Sequence, residues 1–295
     1  MITITNADIS WSWRVEIIVL LLAAAALYIR GSQKAKNQGQ AVSPLRLFSF
    51  WSGWGLLSLT LLSPIHTLAT QLFVMRVAEH ILLIAPIPAL LLASNPLPVF
   101  KQALPLYWQY KTETHFAAFR ARLHKVTGGG VALAAYVSAV FIWYEPVLHQ
   151  ISLVSPWVRT LELGSMLAAA LFYWWHITGA APQLHPHPPF MIYLFYTGVG
   201  ALPLKIMGLA FLFAATPMYS YPINEIEVWD MSGQEAQQIL GGILIWLVGG
   251  LSFTAAAGVI VRQWLEVEGN KPALPISSWA REDKMIAPGL ENRGR

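Results

Sequence analysis

Seven stretches of this chain are long and apolar enough to cross a lipid bilayer, at about 12–30, 46–64, 71–93, 130–148, 158–178, 190–216 and 234–262. About 20 mostly apolar residues span roughly 30 Å of hydrocarbon, and once a chain is threaded this way helices or a closed barrel are the only solutions. Composition agrees. Of 295 residues 56% are hydrophobic and only 12% charged, with mean hydropathy +0.51, against about 25% charged in a soluble domain. The expected fold is therefore all-α: a polytopic membrane protein built as a bundle of seven transmembrane helices. No repeat or long linker divides it, so residues 1–265 read as one transmembrane domain and 266–295 as a polar cytoplasmic tail.

The same numbers exclude other classes. The net charge of +4 comes from few charges and forms no basic patch, so no nucleic-acid partner is expected. The absence of cysteine excludes disulfides, thiolate catalysis and cysteine-based metal sites. No Ser-His-Asp spacing, phosphate loop or HExxH motif appears, and no enzyme activity is expected.

Orientation follows from the basic residues. Segments 30–46 and 94–129, with the chain from Arg262 onward, hold 15 of the 19 Lys and Arg. The loop at 217–233 instead carries Glu225, Glu227 and Asp230. The N-terminus should face out and the C-terminus the cytoplasm. Cleavage of residues 1–30 as a signal peptide is disfavoured, because it would send four basic residues across the membrane. Residues 112–125 place Phe116, Phe119 and Leu123 opposite Arg120, Arg122 and Lys125, which suits an amphipathic segment on the cytoplasmic face. Pro86 and Pro88 should bend the third span, and Pro203, with nearby glycines, should break or kink the sixth.

Charge inside a span is costly and usually faces the bundle interior. Here it gathers at one level, toward the outer leaflet. Arg76, Glu79 and His80 share a face of the third span, and Glu145 and His149 end the fourth. Arg159 and Glu162 open the fifth, Gln237 and Gln238 the seventh, and His66 follows the second. One reading is a structural polar network of Arg76, Glu145, Arg159, Glu162, Gln237 and Gln238, with Arg76 paired to Glu79 and Arg159 to Glu162. The other is a soft metal site, since imidazole suits copper and thioether suits Cu(I). Its candidate ligands are His80, His149, His66, Met75 and Glu79. A haem held by two histidines, a transporter using Lys205 and the sixth span, and a metal-free scaffold remain as alternatives. His176, beside Trp174 and Trp175, reads as part of an interfacial belt. His185 and His187 lie in a short proline-rich loop.

Several ordered stretches resemble the multi-span CtaG family of haem–copper oxidase assembly factors. They are LLSPIHTLA at 61–69, VAEHILLIAPIPALLLA at 77–93, IWYEPVLH at 142–149, LELGSMLAAALFYWW at 161–175, PMYSYP at 217–222 and QEAQQILGGILIWLVGGL at 234–251. The resemblance implies a multi-pass protein of the bacterial inner membrane that assists assembly of cytochrome c oxidase. Its partners would be the lipid bilayer and oxidase subunits, and copper delivery its chemistry, with His80 and the Gln237–Gln238 pair at matching positions. The sequence departs from the family pattern where Arg76, Tyr144, Arg159 and Leu163 replace expected histidines, and where Ala236 replaces an acid.

Overall fold

The computed structural model describes residues 9–109, 111, 124, 126–186, 188–222 and 233–271. Among these residues the chain is helical, without strands. The helices are α1 (Val15–Asn37), α2 (Pro44–Leu62), α3 (Pro64–Leu68), α4 (Phe73–Ile84), α5 (Pro86–Ala93), α6 (Pro96–Ala103), α7 (Gly129–Trp143), α8 (Pro146–Val154), α9 (Pro156–Thr178), α10 (Phe190–Phe213), α11 (Gly233–Leu244) and α12 (Gly250–Gly269). A π-helical turn at Ile245–Gly249 joins the last two.

Proline sets many of the boundaries. Ser43, Ser63, Glu145 and Ser155 each precede a proline at the first position of a helix, and each side chain accepts from a backbone N–H in the first turn. A residue before proline is pushed to extended backbone, and proline at N1 removes only an N–H that has no helical partner. These four dipeptides therefore start helices by two mechanisms at once.

Five helical segments are long and apolar enough to cross a membrane: Val15–Asn37, Pro44–Leu62, Phe73–Ala93, Phe190–Phe213 and Gly233–Gly269. α7 and α8 pass the same test only when taken together, and they are bent by 71° at Tyr144–Glu145. The remaining expected span, α9, runs 23 residues but dilutes its apolar character with Arg159, Glu162, Trp174, Trp175 and His176.

The third span breaks where its prolines predict. Ala85, between α4 and α5, adopts φ −123° and ψ −79°. Pro88 cannot donate to the Ile84 carbonyl four residues earlier, and the indole Nε1 of Trp174 donates to it instead at 2.9 Å. Trp174 is thus 1% exposed, a core residue filling a backbone defect. Pro203 does not break the sixth expected span: α10 runs through it. The amphipathic segment 112–125 lies outside the described residues except for His124, as does the tail beyond residue 271.

α4 and α9 form the centre. α9 packs against α4, α5 and α7, while α4 also meets α11. α10 packs on α11 and α12, α1 on α6, and α2 on α5. α10 and α11 approach closely at Gly208 and Gly242, where a Cβ on Gly242 would stand 2.9 Å from the Gly208 carbonyl oxygen. Small residues permit such contact between membrane helices.

Candidate functional site

The polar residues of α4 and α9 do meet, but not with the partners their spacing suggests. Arg76 on α4 pairs with Glu162 on α9, and Arg159 on α9 pairs with Glu79 on α4 at 2.8 Å. The expected pairs within each helix, Arg76–Glu79 and Arg159–Glu162, are replaced by two crossed pairs between helices. The reason is facial. Residues three apart share one side of a helix, and both polar sides face the same seam, so each cation meets the carboxylate opposite.

Each pair is extended by neutral groups. Glu79 accepts from Arg159 through Oε2, and its Oε1 lies 2.6 Å from Nδ1 of His66 on α3. Burial and the charges of Arg14 and Arg76 lower the His66 pKa to about 4, so a neutral ring donates Nδ1–H to the carboxylate. Arg159 also donates to the His66 carbonyl at 3.0 Å. Arg76 donates to the hydroxyl of Ser152, which in turn donates to the His149 carbonyl at 2.7 Å. Nε2 of His80 lies 3.2 Å from Oε1 of Glu162. Arg76, Glu79, His80, His149 and Glu162 are all 0% exposed. Two arginines and two glutamates cancel, and a neutral cluster is what a low-dielectric interior tolerates.

His149 is committed on both sides. Its Nδ1 lies 3.2 Å from the Trp143 carbonyl, which can only accept, so Nδ1 carries the proton. Its Nε2 then accepts from the Tyr221 hydroxyl at 2.6 Å. Burial pushes the Tyr221 phenol well above its ordinary pKa and keeps it a donor. The rings of His80 and His149 stand 6.5 Å apart at 81°, with Tyr144 edge-on to His80 at 5.4 Å. Phe73 and Tyr219 pack around His149.

The remaining candidates separate. Glu145 is exposed and caps α8 by accepting from the Leu148 N–H at 2.9 Å, which removes it from the expected polar network. Gln237 accepts from the Phe73 N–H at 2.7 Å and so caps α4, whose own N-cap Leu72 has no polar side chain. Gln238 accepts from the Met218 N–H at 2.7 Å and donates to the Phe211 carbonyl at 3.3 Å. Met75 is half-buried. Among the described residues Lys205 meets no carboxylate. Its Nζ instead lies 3.4 Å from the Trp246 carbonyl and 4.0 Å from the Trp246 ring centre.

The donor set does not suit a resident copper ion. Glu79 and Glu162 are each bound to an arginine, both nitrogens of His149 are engaged, and His66 is spent on Glu79. No group of three His, Asp or Glu among the described residues is arranged to hold a metal. A haem between His80 and His149 would have to displace the aromatic rings that fill the space around them. His80 stands apart: neither ring nitrogen has a hydrogen-bond partner of good geometry, although the residue is fully buried.

One cluster was not legible in the sequence. A cavity of about 420 Å³ at the end of α9 is lined by His176 and His185. Their rings stand 5.6 Å apart, and His124 lies 4.5 Å from His185. The His185 ring is tilted by 34° to that of His124 and by 39° to that of His176. Thr127 Oγ1 contacts His185 Nε2 at 3.1 Å. Residue 187 lies outside the described residues.

Residues 26–266 match the family model described as cytochrome c oxidase caa3 assembly factor (Caa3_CtaG). No curated protein and no solved structure matches the chain.

Proposed function

For a chain that belongs to the cytochrome c oxidase caa3 assembly factor family, we propose a non-enzymatic role as a seven-pass scaffold of the bacterial inner membrane. α7 with α8 and α9 serve as the fourth and fifth passes. The scaffold holds oxidase subunits during assembly. The observation that carries this reading is the pair of crossed ion pairs, Arg76–Glu162 and Arg159–Glu79. They fix α4 against α9 and pair each carboxylate with an arginine from the other helix. A buried network of this kind specifies one arrangement of helices, which is what a surface presented to a partner requires.

Copper delivery is a second reading, favoured by His80 alone. A fully buried imidazole whose nitrogens make no well-formed hydrogen bond, one of them 3.2 Å from Glu162 Oε1, is a rare feature, and neutral imidazole suits copper. In that reading copper is cargo, held briefly at His80, and Arg76 opposes its long residence by holding Glu162. A visiting cation and the guanidinium then compete for one carboxylate.

Complementation of a deletion strain separates the two. Cytochrome c oxidase content and activity are measured with chains carrying His80→Ala, Arg76→Leu or the pair Arg76→Leu/Glu162→Leu. The scaffold reading expects His80→Ala to restore the oxidase and Arg76→Leu to fail. Failure of His80→Ala, reversed by added copper salts, would replace it with the cargo reading. A deletion strain with unaltered oxidase would sink both.

A further inference from the structure

Lys205 has no role in the outer polar cluster, yet it lies deep within a membrane-spanning segment. Its ammonium packs against Gly250. That glycine lies 17 residues after Gly233 and 12 before Arg262 in one helical run, or about 25 Å and 18 Å at 1.5 Å per residue. Lipid headgroups at either surface are out of reach of a side chain directed to that level. The side chain is half-buried, and its neighbours Leu202, Ile206, Trp246 and Leu251 are exposed on the same outward side. An ammonium carries three N–H donors. One long hydrogen bond to the Trp246 carbonyl and the face of its indole leave that capacity largely unmet in a solvent that offers none.

We propose that this face of α10 and α12 docks a membrane-spanning helix of another protein, one carrying an aspartate or glutamate near its middle, against Lys205. Charge complementarity identifies the occupant, because an uncompensated cation at this depth is expensive and a carboxylate is its strongest match. A second copy of this chain is a poor candidate. Its membrane-embedded carboxylates Glu79 and Glu162 are buried and held by arginines. The surface also has a shape for the partner. Gly198, Leu202, Lys205 and Leu209 follow one another at helical spacing along α10, and a Cβ at Gly198 would meet nothing within 4 Å. A flat small residue beside apolar knobs lets a second helix approach closely. The inference concerns the lipid-facing side and stands whether or not the outer cluster handles copper.

The test uses the full-length protein in phosphatidylcholine vesicles with fluorescently labelled model helices. One peptide is leucine–alanine throughout its apolar core; the other is identical except for one central glutamate. The glutamate peptide should associate with the protein about threefold more tightly or better, by energy transfer. That preference should vanish with Lys205→Met and survive with Lys205→Arg. Equal association of the two peptides with the unmodified protein would overturn the proposal without any variant. A preference that persists in a folded Lys205→Met would do the same.

Discussion

Arg76 on α4 reaches past Glu79, three residues away on its own helix, to pair with Glu162 on α9. Because both groups are fully buried, removing one partner leaves a charge without compensation. Arg76→Leu should destabilise the folded protein by about 3–5 kcal/mol, and adding Glu162→Leu should recover most of that loss. Unfolding in detergent micelles measures both. A double variant no more stable than the single one would show that the pair is not the principal partner of either residue.

Trp174 and Pro88 form a second dependent pair. Trp174→Phe removes the donor to the Ile84 carbonyl and should cost about 1–3 kcal/mol for the buried acceptor left unpaired. Pro88→Ala restores an N–H four residues after Ile84. In the Trp174→Phe background it should therefore be less harmful than in the wild type. Strictly additive losses in the four-member cycle would refute this link.

The His66 ring titrates well below its ordinary value, at about 4 in the folded protein against about 6.5 when unfolded. The unfolded chain binds the extra proton first, so this contribution to stability is intact above pH 6.5 and lost as pH falls toward 4. The groups facing the ring are Glu79, Arg159, Arg14 and Arg76. The melting temperature should drop across that window, and His66→Gln should flatten the drop. An unchanged pH profile in the variant would place the titration elsewhere.

At the α10–α11 contact, Gly242→Val should be far more damaging than Gly258→Ala. A Cβ at Gly242 meets the Gly208 backbone, which cannot rotate away, whereas one at Gly258 meets nothing within 4 Å. Overpacking of this kind costs about 1–3 kcal/mol. Matching melting curves for the two variants would contradict the close approach.

Most spans could be read from hydropathy, because a run of apolar residues needs no knowledge of its neighbours. The convergence of Arg76, Glu79, His80, Arg159 and Glu162 was also legible, since each sits at a similar distance from an apolar terminus. Their pairing was not. Spacing reveals which residues share a face but not which face lies opposite, so the local pairs looked best. The role of Trp174 was not legible for a related reason: a tryptophan near a span end suits either an interface or a carbonyl stranded by a distant proline. Glu145 carried a usable signal, because an acid directly before Pro146 is a helix cap in waiting. The departures at Arg76 and Arg159 proved informative, for these two residues neutralise Glu79 and Glu162.

The crossed pairs also bear on how the chain enters a bilayer. Each of α4 and α9 carries one arginine and one glutamate, three residues apart, so each helix is neutral within itself. An isolated α4 can shelter Arg76 with Glu79 until α9 arrives, and α9 can do likewise with Arg159 and Glu162. Had both arginines stood on one helix and both glutamates on the other, the finished protein would bury the same two pairs. Its insertion machinery would then face two doubly charged segments in succession, each costing several kcal/mol more to partition. Distributing opposite charges along each strand of the seam makes helices that are admissible one at a time and specific only together.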